Sequence, residues 1–312
     1  MRRIYSHSRR SMLEKCPRQY FNDCFCATYQ PQEKDPQLVL FTEVEPEHEV
    51  ITADYAARIA SLKELSNAYQ VAGLILHSTI GEHWQDETRT AEAFLTQAKG
   101  RFDAWVSRSQ HATHTEGVLL ECYYRLCDAE ETIGEARKRL LTALNNYFRD
   151  EGIRRFVSEL QSAEELRTEQ SIGGLPKVRD FTIMGRVDVC CRSGSDVRLV
   201  DWKMGGSVGD EDSLQLSLYA WWATMEFNVL PEQVILQRVF LGDSTIEAPA
   251  RFSEQKLNRA RARLSQDVER MADLHEYGVK GQLEAFPVCD KEKVCHQCRF
   301  QGVCPAVANA TA

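Results

Sequence analysis

The segment from Gly185 to Lys203 constrains this chain more than any other. Two apolar-rich runs, Gly185-Arg186-Val187-Asp188-Val189-Cys190-Cys191 and Val197-Arg198-Leu199-Val200-Asp201-Trp202-Lys203, flank Gly194-Ser195. Glycine followed by a small polar residue suits a two-residue hairpin turn of the primed type, which needs positive φ. With the turn there, the strands pair so that Asp188 lies directly opposite Asp201. Opposed side chains in an antiparallel pair have Cβ atoms about 4.5 to 5.5 Å apart, where like charges are destabilising unless something neutralises them. A divalent cation would do so. Lys203, two residues beyond Asp201, falls on the same face by strand alternation, and a slip of one residue would scatter all three groups.

These residue types have distinct jobs. Hard carboxylate oxygens hold Mg²⁺ or Mn²⁺, which polarises a phosphoryl oxygen and lowers the pKa of an attacking water. An ammonium at Lys203 can orient that water or stabilise the charge of a phosphorane. The plainer alternative is an exposed hairpin whose Asp and Lys side chains are merely solvated. The next predicted helix bears on the choice. Gln215 and Tyr219, four apart in Leu214-Gln215-Leu216-Ser217-Leu218-Tyr219-Ala220, share one helical face. Alone they read as a core aromatic with a satisfied polar neighbour; beside the hairpin they read as a polar edge leading into a site.

Around this hairpin the chain divides by period. Residues Ser8 to Tyr20 predict a short helix, with Ser8 or Ser11 as its cap and Pro17 opposing a long uninterrupted one. Residues 31–50, rich in Pro, Glu and Asp, predict a loop. From Thr52 to Phe148 the spacing is helical in several pieces. Strand character begins near Arg179, with Asp180 to Cys191, Asp196 to Lys203 and Val234 to Leu241 as candidates. Helices are expected over Asp210 to Phe227 and Ser253 to His275. The tail from Phe286 to Pro305 carries too many Cys, Pro and Lys residues for a regular element.

At 312 residues, 43% hydrophobic and 27% charged, the chain can bury a full core and still carry an insertion. It has no run of about 18 apolar residues and no apolar leader after Met1-Arg2-Arg3-Ile4-Tyr5, so a cytoplasmic, non-membrane protein is expected. The net charge of −8 argues against binding nucleic acid through bulk positive charge. The charge is polarised, however. Arg2, Arg3, Arg9, Arg10, Lys15 and Arg18 lie near the start, while acid concentrates in Glu43 to Glu49 and Asp128 to Glu131, a pattern that permits a basic groove on an acidic body. Eleven cysteines in a reducing compartment point to metal rather than to disulfides. Cys289, Cys295, Cys298 and Cys304 cluster near the end, and Cys16, Cys24 and Cys26 near the start.

Through Gly185-Arg186-Val187-Asp188, Asp201-Trp202-Lys203 and Gln215-x-x-x-Tyr219, in this order and spacing, the sequence resembles the PD-(D/E)XK nuclease superfamily, in particular its RecB-like branch. That resemblance implies an α/β fold: a restriction-endonuclease-like core with a mixed sheet, residues 161–285, and a helical insertion at 50–160. It also implies site roles. His77, in Gly73-Leu74-Ile75-Leu76-His77, would ligate the metal with Asp188, Asp201 and the backbone carbonyl of Trp202; Lys203 would be the catalytic lysine, with Gln215 and Tyr219 completing the motif set. Taken alone, His77 is an ordinary helix-face or core histidine. Glu169 is one of several Glu residues that match a further acidic position upstream of the hairpin in some relatives.

The cysteines resemble a subgroup. Cys295-His296-Gln297-Cys298 followed by Cys304-Pro305 is similar to the C-terminal triad of the AddB-type and CRISPR-associated exonucleases, whose fourth ligand is a Cys near the N-terminus; Cys16, in Cys16-Pro17-Arg18, has the matching context. The resemblance implies a four-iron, four-sulfur (4Fe-4S) cluster in a lobe formed by residues 1–30 and 286–312. The residues themselves leave iron-sulfur and zinc open, since four thiolates suit both. Cys289 is either a replacement ligand or an ordinary thiol. Cys24, Cys26, Cys122, Cys127, Cys190 and Cys191 read as core or surface residues, with Cys190 a candidate for the active-site side of the hairpin.

The implied function is a metal-dependent deoxyribonuclease, an exonuclease on single strands or ends, in DNA repair, CRISPR adaptation or antiviral (antiphage) defence. No Walker loop is present, so ATP-driven unwinding would come from a helicase partner. The rival readings are a catalytically silent DNA-binding subunit of a larger complex, a zinc-stabilised nuclease or scaffold, and an RNA-directed nuclease.

Overall fold

The structure, a computed structural model, describes residues 3–26, 51–86, 88–205 and 210–305, with the backbone alone at 210–213. The predicted loop at 31–50, the acidic stretch Glu43 to Glu49 and Arg2 lie outside the described residues. A strand β1 (Ile4–Tyr5) leads into helices α1 (His7–Lys15) and α2 (Pro17–Cys24). The predicted break at Pro17 is there: Cys16 is extended between the helices and Pro17 opens α2. The cap of α1 is Ser6, whose side chain accepts from the Arg9 amide, rather than Ser8 or Ser11, which lie inside the helix.

The helical region follows as α3 (Ala53–Leu62), α4 (Ala68–Gln85), α5 (Ala91–Gln110), α6 (Leu120–Tyr123), α7 (Ala129–Arg149) and α8 (Glu151–Gln161). Helix α4 starts at a reciprocal capping box between Asn67 and Gln70, and buried Glu121 accepts from the Ala68 amide at 3.0 Å. Both fix orphan donors of the first turn.

The sheet contains β2 (Glu165–Ile172), β4 (Gly185–Ser193), β5 (Asp196–Lys203), β6 (Val234–Phe240) and β7 (Thr245–Ile246) in that spatial order, with β8 (Ala250–Arg251) also on β6. Strand β3 (Thr182–Ile183) pairs in parallel with β1 instead. The predicted strand from Asp180 is therefore split in two, after Arg179 and Asp180 both take left-handed φ. Strand β2 was not expected from the sequence. Helix α9 (Asp210–Glu226) makes the crossover between the parallel strands β5 and β6, all other pairs in this sheet are antiparallel, and the sheet is mixed. A last long helix, α10 (Glu254–Val279), precedes the tail with its five-residue α11 (Glu292–His296).

Strand alternation divides the core. Val189, Cys191, Val200, Trp202 and Val239 pack against α4, α7 and α8, where Trp202 meets Tyr147 and Phe156 edge-on at 5.7 and 6.3 Å. Cys190, Val197 and Leu199 pack toward α9 and α10. Cys190 is a core residue of that face.

The start and tail of the chain are joined. The Phe21 and Phe286 rings lie 4.9 Å apart, and buried Arg18 donates through Nε to the Phe286 carbonyl at 2.9 Å. Arg10, also buried, pairs with Glu14 at 2.9 Å and with Asp267 of α10 at 2.8 Å. These two arginines are thus internal ties, which corrects their reading as part of a basic groove. Burying a guanidinium is tolerable only with such partners. No described helix is long and apolar enough to cross a membrane.

Candidate functional site

The hairpin turns at Gly194, with φ of 58°, and pairs Ser193 with Asp196, Cys190 with Leu199 and Val189 with Val200. Asp188 and Asp201 are the next opposed residues. There the ladder gives way to a side chain: the Trp202 amide donates to Asp188 Oδ2 at 2.8 Å. On the other side of β4, Thr168 pairs with Val189 and Gln170 with Val187, which sets Glu169 across from Asp188. Asp201 in turn pairs with Arg238 on β6. Glu169, Asp188 and Asp201 therefore form a row of carboxylates across three adjacent strands. Glu169 sits at φ of 50°, a left-handed conformation that costs a non-glycine residue about 1–3 kcal/mol and persists where surroundings enforce it.

Helix α4 delivers His77 to this row, with Nδ1 3.3 Å from Asp188 Oδ1. Gly81, one turn further along α4, faces the Glu169 side chain, whose Cγ would stand 3.5 Å from any added Cβ. Potential ligand atoms of His77, Glu169 and Asp188 all lie within 4.8 Å of one another. Asp201 is outside that trio; its Oδ2 meets Lys203 Nζ at 2.9 Å.

The electrostatics are those of crowded carboxylates. Burial, then the charge of Asp188, pushes the Asp201 carboxyl up to about 6, against the opposing pull of Lys203. The same two causes raise Glu169. Burial acts to lower His77, but the hydrogen bond and charge of Asp188, with Glu169 and Asp201 behind it, outweigh burial and raise it. Without a metal, Glu169, Asp201 and His77 thus hold protons more tightly than isolated side chains would. A divalent cation fits the donor set, because it satisfies hard oxygens and an imidazole at once and relieves their mutual repulsion.

Tyr219 closes one side. Gln215 Nε2 donates to its oxygen at 2.6 Å, the Arg186 backbone supplies a second contact, and burial raises its hydroxyl to about 12, so it remains a neutral O–H. This approach depends on Gly185: an added Cβ would stand 2.9 Å from Tyr219 Cε1. Among the described residues, then, the structure gathers Asp188, Asp201, Lys203, His77, Gln215 and Tyr219 around one end of the hairpin, and adds Glu169 to them. Trp202 contributes its amide to the site, while its side chain is buried on the opposite face.

A second constellation lies in the tail. Cys16, Cys289, Cys295, Cys298 and Cys304, with Val294 and Gln301, line one pocket. The Cys298 thiol has Cys16, Cys304 and Cys295 as neighbours, and burial pushes it up to about 12. Burial also raises Cys16. No two of the cysteines are joined in a disulfide. Converging soft donors fit a metal, which would displace the protons that burial holds on Cys16 and Cys298. The lobe is docked on the helical region: His296 faces both Asp128 oxygens at 3.2 Å, and Tyr124 donates to the Arg299 carbonyl at 2.6 Å.

A family model of the PD-(D/E)XK nuclease superfamily matches residues 53–305. The chain belongs to this superfamily. Its mixed α/β architecture and its cluster of His77, Glu169 and Asp188 agree with a metal-dependent nuclease. Comparison with curated proteins finds no match. Among solved structures, that of SSO0001 aligns with 76% of this chain and 96% of its own at 17% identity, with a TM-score of 0.29.

Proposed function

We propose that this protein is a Mg²⁺- or Mn²⁺-dependent deoxyribonuclease of the RecB-like branch, acting as an exonuclease on single strands or DNA ends. The carboxylate row Glu169, Asp188 and Asp201, met by His77 on one side and Lys203 on the other, carries this reading. His77, Asp188, Asp201 and the Trp202 carbonyl would hold the metal, with Glu169 next to them. When bound, the metal supplies Lewis acidity toward a phosphoryl oxygen and a more acidic water. The residues do the rest. Lys203, held by Asp201 and one-quarter exposed, presents an ammonium to the anionic phosphate. The Tyr219 hydroxyl, fixed by Gln215, offers a neutral donor at the same edge. A groove between α9, β6 and α10 carries Lys256 and Arg259, which suits a polyanion.

The same reading makes the five-cysteine pocket the seat of a 4Fe-4S cluster held by Cys16, Cys295, Cys298 and Cys304. The joined chain ends support it, since ligands so distant in sequence would close a long loop. A role in DNA repair, CRISPR adaptation or antiphage defence, with a helicase or other partner chain, follows the same proposal.

The test is cleavage of end-labelled linear single- and double-stranded DNA and of covalently closed circles, with Mn²⁺ and with EDTA. An exonuclease degrades the linear substrates, spares the circles and is silent in EDTA. Degradation of circles at the same rate would overturn the exonuclease assignment, and RNA cleaved in preference to DNA would overturn the substrate.

A further inference from the structure

The tail pocket holds one thiol more than a metal site of this kind uses. Tetrahedral zinc and four-iron clusters both take four thiolates. Cys289 is the extra one, and its position is specific. Its Sγ lies 3.8 Å from Cys295 Sγ, while Cys295 Sγ also faces the Cys289 carbonyl at 3.9 Å. Cys16 touches both the backbone and the thiol of Cys289. Cys298, by contrast, has Cys16, Cys295 and Cys304 around it. Cys289 therefore stands beside Cys295 at the edge nearest Cys16, and not beside Cys298.

Two thiols in van der Waals contact can present a sulfur to nearly the same point with little movement of either chain segment. The local backbone permits it. Cys295 lies in the short α11, held by Val294 and Cys295 amides on the Lys291 carbonyl, and Cys289 precedes that helix in irregular chain. No such stand-in is placed beside Cys298, whose thiol neighbours are the other members of the set.

We propose that Cys289 and Cys295 share one ligand position, so that either thiolate completes the site with Cys16, Cys298 and Cys304. This inference rests on the metal-thiolate reading of the lobe. In the loaded protein one of the pair is coordinated and the other is a free, half-buried thiol. The site is then redundant at the Cys295 position, while Cys298 has no such stand-in.

The experiment uses the full chain purified without oxygen, as wild type, Cys289→Ser, Cys295→Ser, the double variant and Cys298→Ser. Iron, acid-labile sulfide and zinc are measured per chain. The loaded wild type is also alkylated with iodoacetamide under native conditions and its peptides are mapped by mass spectrometry. Both single variants of the pair should keep the wild-type metal content, while the double variant and Cys298→Ser lose it. Within the pocket, alkylation should fall on Cys289 or Cys295, never on both in one molecule, and not on Cys16, Cys298 or Cys304, whatever the exposed Cys127 takes up. Loss of metal or of folded protein in Cys295→Ser overturns the shared position, as does full loading of the double variant or protection of both thiols. A wild type that carries no metal overturns the metal-thiolate reading as well, whereas a loaded wild type with an empty Cys295→Ser overturns the sharing alone.

Discussion

The carboxylate row and the cysteine pocket gather ligand atoms by opposite routes. The row is a product of sheet register: β2, β4 and β5 place Glu169, Asp188 and Asp201 side by side, and α4 brings only His77 from outside the sheet. The pocket owes nothing to a sheet. It exists because α2 and the tail pack together through Phe21, Phe286 and Arg18, which carries Cys16 to the C-terminal cysteines. A site built by register is rigid without its metal and bears the cost of crowded charge. A site built by joining chain ends depends on whatever keeps those ends together. The two should therefore fail separately.

The largest separation is expected from Trp202→Ala. This removes the side chain that backs the row against Tyr147 and Phe156, and the cavity should cost about 3–5 kcal/mol in denaturant unfolding. Below the unfolding transition any metal bound in the cysteine pocket should stay bound. Loss of both metals together would show that the two sites are one cooperative unit.

Asp188→Asn comes next. It removes one charge from the centre of the row while an amide oxygen can still accept from Trp202, so folding should survive. Mn²⁺ affinity by calorimetry should fall by about 100-fold or more, beyond the range of outer-shell changes. The metal content of the cysteine pocket should not change. Because Glu169, His77 and Asp201 all hold protons more tightly than usual, Mn²⁺ affinity of the wild type should also weaken as pH falls from neutrality through about 6.

A smaller effect of opposite sign is expected from Asp201→Asn in EDTA. A carboxyl with a folded-state pKa raised above its unfolded value destabilises the fold above that folded pKa, and the cost disappears below the unfolded one. Because burial and the charge of Asp188 raise Asp201 to about 6 from an ordinary 3.8, the metal-free variant should be more stable than wild type at pH 7. The difference should vanish on acidification below pH about 4. Equal stability of the two proteins at pH 7 would show that Lys203 fully offsets the crowding.

The smallest effect belongs to Gly185→Ala. Its methyl group meets Tyr219, which must shift by a few tenths of an ångström, at a cost of about 1 kcal/mol. Cleavage should slow more than stability falls. Unchanged kinetics would remove Tyr219 from the site.

The hairpin was legible in the sequence because its turn chemistry and its alternation agree, and together they set the pairing that brings Asp188 to Asp201. Strand β2 was not, since its Glu165, Arg167 and Glu169 leave no apolar alternation and all three are only half-buried. Glu169 was accordingly one Glu among several; its left-handed backbone and its partner strand are what single it out. Arg10 and Arg18 read as surface charge because their partners, Asp267 and the Phe286 carbonyl, lie near the far end of the chain. For the same reason the family resemblance could imply Cys16, Cys295, Cys298 and Cys304 as ligands yet leave Cys289 undecided: only the folded tail sets its sulfur beside that of Cys295.

Metal-dependent phosphodiester cleavage is the work proposed here for the row and Lys203. It is tested most directly by one assay of labelled DNA in Mn²⁺ with wild type, Asp201→Ala and Lys203→Ala, each confirmed folded by circular dichroism. Both variants should lose activity by about 10²–10³-fold or more, the range for removing a group that stabilises transition-state charge. Equal cleavage by all three proteins would contradict the account.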